Sequence, residues 1–188
     1  MRERFTIKKI ALLGVLTAGA LITFMIENLF PQIFIPGAKL GISNVFVLFA
    51  LITLGGIEGC IVMVIKTVLA SVIVGNVGSL IYGLSGGGVA LIVEYLLVRY
   101  CYEKVSVVAI SVTGAVLHNV VQNSVFCLVT TTVEFFSYTP YLMLIGVLGG
   151  VLVGIVTLLL IKKIPISVYD RILINNKPKE NSSESEKR

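Results

Sequence analysis

Lys66 stands near the middle of the apolar run "VMVIKTVLA", and His118, Asn119, Gln122 and Asn123 crowd two turns of "VLHNVVQNSV". A charge at mid-bilayer costs about 2.5–3.5 kcal/mol on insertion scales. Unsatisfied hydrogen-bonding groups in hydrocarbon add to that cost. Residues this expensive need partners. Three readings are open for Lys66: an acidic or carbonyl partner inside a bundle, contact with a bound solute, or a stem that snorkels toward water. His118 and Gln122 are four apart and share a helical face, with Asn119 and Asn123 a second pair one step around. They suit interhelical hydrogen bonds, the polar wall of a ligand cavity, or a proton relay through His118, although no acidic partner is placed beside it by sequence.

Glu27 and Asn28 close the first apolar run just before Pro31, and the stretch "IPGAKLGISN", residues 35–44, follows. It is too polar for lipid and over-specified for a simple turn. Its glycines, Gly37 and Gly41, permit positive φ and close backbone approach. Pro36 fixes its own φ and biases Ile35 toward extended geometry. Ser43 or Asn44 can cap the helix that starts here, and a helix amino end favours anions. Lys39, with the backbone donors of that helix, suits an anionic or carbonyl group. Ser79, Tyr82 and Ser85 open a later apolar run on the same side. The candidate solute-binding residues are therefore Glu27, Gly37, Lys39, Asn44, Lys66, Tyr82, His118, Asn119 and Gln122.

Metal chemistry finds little support. Cys60, Cys101 and Cys127 have no CxxC spacing and lie in or beside apolar runs, so they read as small packing residues. With a single histidine, a zinc site is not expected. No cofactor and no catalytic residue are assigned.

The elements that must position these side chains are membrane helices. The chain has 188 residues, 56% apolar and 13% charged, with mean hydropathy +1.00. A soluble domain of this size cannot hide so much apolar surface. The pI near 9.2 does not point to nucleic acid, because the basic residues flank the apolar runs and form no stripe. Six spans are predicted, over residues 9–30, 40–54, 57–74, 80–98, 105–131 and 138–161. The second is short, about 22 Å at 1.5 Å per residue, and must be sheltered by neighbours or completed by the preceding loop. Gly55-Gly56 turns the chain between spans two and three. The first run continues through "LITFMI" past a signal-like Ala18-Gly19-Ala20, so it is read as an uncleaved span.

Charge sets the orientation. Arg2, Arg4, Lys8, Lys9, Arg99, Lys104, Lys162 and Lys163 all fall on one side of a six-span chain, and Lys39 alone falls on the other. The positive-inside rule then places both termini in the cytoplasm of a multi-pass cell-membrane protein. Adding or deleting one span would break the asymmetry. The expected organisation is a cytoplasmic N-terminus (1–8), a six-helix transmembrane domain (9–163) and a cytoplasmic, largely disordered tail (164–188), whose "IPISVYDRILI" suits a surface-lying segment.

Helices approach closely in lipid where small residues line up. Gly146, Gly150 and Gly154 form a double GxxxG stripe on span six, with Gly149 alongside. Gly83, Gly87 and Ala90 share a face of span four, and Glu94 continues it toward the cytoplasmic end, in an interfacial or a buried role. Gly14 and Ala18 lie on span one. Packing within the bundle accounts for such stripes; docking to a partner protein, above all through span one, is the alternative.

The segments "PGAKLGISN", "LIYGLSGG", "GAVLHNVVQ" and "PYLMLIGVLGGVLVG", in that order over residues 11–161, resemble the Gx transporter family, often labelled heptaprenyl diphosphate synthase component I. That family resembles the S components of energy-coupling-factor (ECF) vitamin transporters. The resemblance implies an all-α integral membrane protein, a six-transmembrane-helix bundle with a small-molecule substrate bound under the first outer loop. It also implies partners: an ECF transmembrane subunit reached through Gly14 and Ala18, and cytoplasmic ATPases. Gly14/Ala18 is only a partial version of the S-component small-residue motif. The enzyme label meets a chemical objection. Prenyl diphosphate synthases hold magnesium with aspartate clusters, and this chain has one aspartate, Asp170. It also lacks a Walker A motif, so it hydrolyses no ATP itself. Transport of a small solute from outside is the first functional expectation. A non-catalytic accessory subunit for polyprenyl diphosphate or menaquinone synthesis, or for membrane redox modules, is the alternative.

Overall fold

Glycine and a capping side chain set two of the helix ends. The computed structural model describes residues 7–29, 40–101 and 104–163. Within them run α1 (Ile7–Leu29), α2 (Asn44–Thr53), α3 (Gly56–Val74), α4 (Val77–Cys101), α5 (Val107–Thr130) and α6 (Thr139–Lys163), with a 3-10 helix at Val133–Tyr138 leading into α6. Gly75 closes α3 in the left-handed conformation (φ 68°), and the N–H of Asn76 returns to the Ser71 carbonyl at 3.2 Å. Ser106 caps α5, its hydroxyl accepting from the Ala109 N–H at 3.2 Å.

α1, α3, α4, α5 and the 3-10/α6 segment are each long and apolar enough to cross a membrane. The chain is a multi-span, all-α membrane bundle. α2 is the exception. It has ten residues, about 15 Å, half the hydrocarbon thickness. Expected over 40–54, it starts only at Asn44. Shelter by neighbours is what makes it viable: Val45, Val47, Leu48, Phe49, Ala50 and Leu51 are all buried, against α1, α3, α4 and α6. Gly55, at φ 126°, turns the chain into α3. The amino end of α2 consequently lies inside the bundle, one short helix away from that turn.

The small-residue stripes are used internally where they can be traced. A methyl on Gly150 or Gly154 would stand 2.6 Å from the Cα of Val112 or Val108, and one on Gly146 would stand 3.1 Å from the Cα of Val116. The four-residue spacing on α6 thus matches a four-residue valine row on α5, in the most extensive helix pair of the bundle. On α4, Gly83 faces Thr67 and Gly87 faces Met63 of α3. Gly14 and Ala18 of α1 are exposed, and nothing lies within 4 Å of a methyl placed on Gly14. Cys127 is buried, but Cys60 is exposed on α3, so it is not an internal packing residue. An ion pair of 2.5 Å between Lys9 and Glu58 ties the start of α1 to the start of α3. The residues expected to form the N-terminal segment before Ile7, the tail and the surface-lying "IPISVYDRILI" lie outside the described residues.

Candidate functional site

The buried amino end of α2 creates the site. The N–H groups of Asn44 and Val45 turn back to the Gly41 and Ile42 carbonyls at 2.9 and 3.0 Å. The N–H groups of the two residues just before the helix still need an acceptor in an apolar bundle, and Glu27, near the end of α1, supplies it. One carboxylate oxygen accepts from the Ile42 N–H at 2.9 Å and the other from the Ser43 N–H at 3.4 Å. The negative charge also suits the positive end of the helix dipole. This corrects two expectations. Ser43 makes no side-chain cap, and the backbone donors predicted to bind a ligand's anionic group are engaged by the protein's own carboxylate.

Lys66 approaches the same helix end from α3. It is 8% exposed, and its ammonium donates to Asn44 Oδ1 at 2.7 Å and Ser43 Oγ at 3.3 Å. A carbonyl partner in the bundle, not snorkelling, therefore satisfies it. α5 adds the far wall. His118 and Gln122, one turn apart on α5, face a cavity of about 110 Å³ lined also by Glu27, Asn44, Lys66, Thr67 and Ser79. The other α5 pair does different work. Asn119 Nδ2 donates to the Leu142 carbonyl at 2.9 Å, and Asn123 Nδ2 donates to the Phe135 carbonyl at 3.1 Å and Thr139 Oγ1 at 2.9 Å. These bonds hold α6 and the 3-10 helix against α5. Asn119 reaches the cavity edge, but its amide is committed to a neighbouring helix.

The structure thus gathers Glu27, Asn44, Lys66, His118, Asn119 and Gln122 around one hollow. Tyr82 does not join them. Its ring meets Phe126 edge-on, 5.4 Å between centroids, in an aromatic row that continues through Phe135 to Tyr138. An aromatic ring gains more from this packing than from a polar wall. Gly37 and Lys39 lie outside the described residues. Among the described residues no cluster of metal-ligating side chains occurs.

A smaller hollow of about 40 Å³ adjoins the first through Leu40, Gly41, Asn44, Ala115 and His118. Glu94, Ser111 and Gly114 line it. A methyl on Gly114 would overlap the Glu94 carboxylate, so the absent side chain is what lets Glu94 lie against α5. Glu94 therefore faces protein and an internal hollow. Sequence reasoning passed over Ser111 and Gly114. Their signal was present: with His118 they fall at i, i+3 and i+7, one face of α5.

Fold and site together define a multi-pass helical membrane protein with a polar hollow in its apolar interior. The family described as heptaprenyl diphosphate synthase component I matches residues 16–160, and the chain belongs to that family. Component I is the non-catalytic membrane component. No curated protein and no solved structure matches the chain.

Proposed function

We propose that the chain is a membrane accessory subunit linked to polyprenyl diphosphate or menaquinone synthesis, and that it contributes by holding a small polar solute in the interior hollow. The observation that carries this is the convergence of Asn44, Lys66, His118 and Gln122, from three helices, on one cavity of about 110 Å³. Asn119 and Asn123 are committed to α6 and the 3-10 helix, whereas Lys66 and Asn44 pair with each other at the wall of the hollow and His118 and Gln122 face into it. Polar groups gathered around empty volume are costly to keep unless something fills it. The volume is of the order that holds benzene or a few waters, so it suits a small solute or the polar head of a larger one.

Uptake is the second reading, favoured by two features. The charge asymmetry sets both termini in the cytoplasm, which turns the Glu27 end of α1 outward. Gly14 and Ala18 leave a small-residue strip exposed on α1, suited to an ECF-type transmembrane subunit with its ATPases.

The test uses the full-length protein in nanodiscs. Flavins, thiamin-like compounds, quinone precursors and prenyl diphosphates are screened by thermal shift. One class is expected to raise Tm by several degrees, and Lys66→Met or His118→Ala to remove the shift. Capture is wrong if no compound shifts Tm, or if both variants respond like the wild type. Affinity purification in mild detergent then separates the readings: a prenyl synthase alone supports the accessory role, and ATPases with a transmembrane subunit support uptake.

A further inference from the structure

The smaller hollow is not explained by packing. Ser111 is 1% exposed, and its hydroxyl oxygen has no hydrogen-bond partner. A buried, unmet hydroxyl costs on the order of 1–3 kcal/mol. Glu94 shares this hollow, and among the described residues it forms no hydrogen bond or salt bridge. Two polar groups from facing helices, α4 and α5, thus line a space that adjoins the cavity at His118 and Asn44. From His118 to Ser111 is seven residues, about 10 Å along α5. The upper end of the combined space carries the ammonium of Lys66, which donates to the amide oxygen of Asn44 at the junction. The lower end carries a carboxyl group and a hydroxyl. Glu27 also lines the upper end, but its carboxylate is engaged by the Ile42 and Ser43 N–H groups, so the ammonium sets the chemistry there and the carboxyl group sets it at the lower end.

We infer that the combined hollow is a two-ended site for a small zwitterion-like solute. A carboxylate or carbonyl end lies toward Lys66 and Asn44, and an ammonium or N–H donor end lies toward Glu94 and Ser111. Gly114 is the positioning residue that leaves room for the Glu94 carboxylate. This deepens the capture reading above and rests on it.

The experiment measures thermal shifts of the full-length protein in nanodiscs with ω-amino carboxylates of three to six carbons, and with the carboxylates and the amines of the same chain lengths. The amino carboxylates are expected to raise Tm more than either single-ended series. Glu94→Gln, which keeps the shape and replaces the carboxyl group with an amide, is expected to reduce their effect to that of the plain carboxylates. Should Glu94→Gln not fold, Ser111→Ala reads the same preference and is expected to weaken it at least twofold. The inference is overturned if carboxylates or amines alone match the amino carboxylates, or if the variant that folds keeps the full preference. A response to flavins, quinone precursors or the other compounds of the first screen, with none to these probes, overturns the inference and leaves capture standing. Silence in both screens overturns both.

Discussion

Removing the Glu27 carboxylate should loosen the joint between α1 and α2. Glu27→Ala strips the acceptor from two backbone N–H groups, those of Ile42 and Ser43, at 2.9 and 3.4 Å. Hydrogen bonds to charged groups contribute about 1.5–3 kcal/mol in soluble proteins. Interhelical hydrogen bonds within membranes average about 0.6 kcal/mol, with a maximum near 1.7. The 3.4 Å bond is long and counts for little. Loss of favourable charge at the amino end of α2 adds about 0.3–1 kcal/mol. The expected destabilisation is about 1–3 kcal/mol for Glu27→Ala. For Glu27→Gln it is about 1 kcal/mol, because the amide oxygen can still serve the Ile42 N–H. The assay is reversible unfolding in mixed micelles, followed by circular dichroism as the denaturing detergent fraction rises. A Glu27→Ala variant within about 0.5 kcal/mol of wild type would show that water or other groups satisfy the Ile42 and Ser43 N–H groups and that Glu27 is no structural cap.

Gly150→Ala should destabilise the bundle by about 1–3 kcal/mol in the same assay, since its methyl would stand 2.6 Å from backbone at Val112. Gly14→Ala meets nothing within 4 Å and should be neutral or stabilising by up to about 1 kcal/mol; equal losses at the two sites would refute the packing account. Thr157 is fully buried with an unpartnered hydroxyl, so Thr157→Val, of nearly the same shape, should stabilise by about 1 kcal/mol, and a loss of stability would reveal a hidden partner. Asn123→Ala breaks two bonds to the 3-10 helix region and should cost about 1 kcal/mol, with faster hydrogen exchange over residues 133–138 as its signature; unchanged exchange there would count against it.

Apolar run length marked five helices as long enough to cross and gave the chain its membrane character, because a spanning segment needs about 20 apolar residues whatever surrounds it; α2, at ten residues, falls short of that length. Side-chain cost marked Lys66, His118 and Gln122 as residues needing an explanation, since burying charge and amide in hydrocarbon is expensive in any fold. Spacing on α6 was enough to name the glycine stripe, but its mate, the Val108–Val112–Val116 row, emerged only when α5 lay beside it. Three matters were decided by tertiary structure alone. Helical period pairs His118 with Gln122 and Asn119 with Asn123, but the rotation of α5 against its neighbours chose which pair faces the hollow and which bonds to α6 and the 3-10 helix. Tyr82 went to an aromatic row because Phe126, itself packed on Phe135, happened to meet it. Glu27 and Lys66 met at one helix end because α2 is short and starts deep in the bundle. Periodicity along one chain says which residues share a face; only the packing of that face against others says what the face is for.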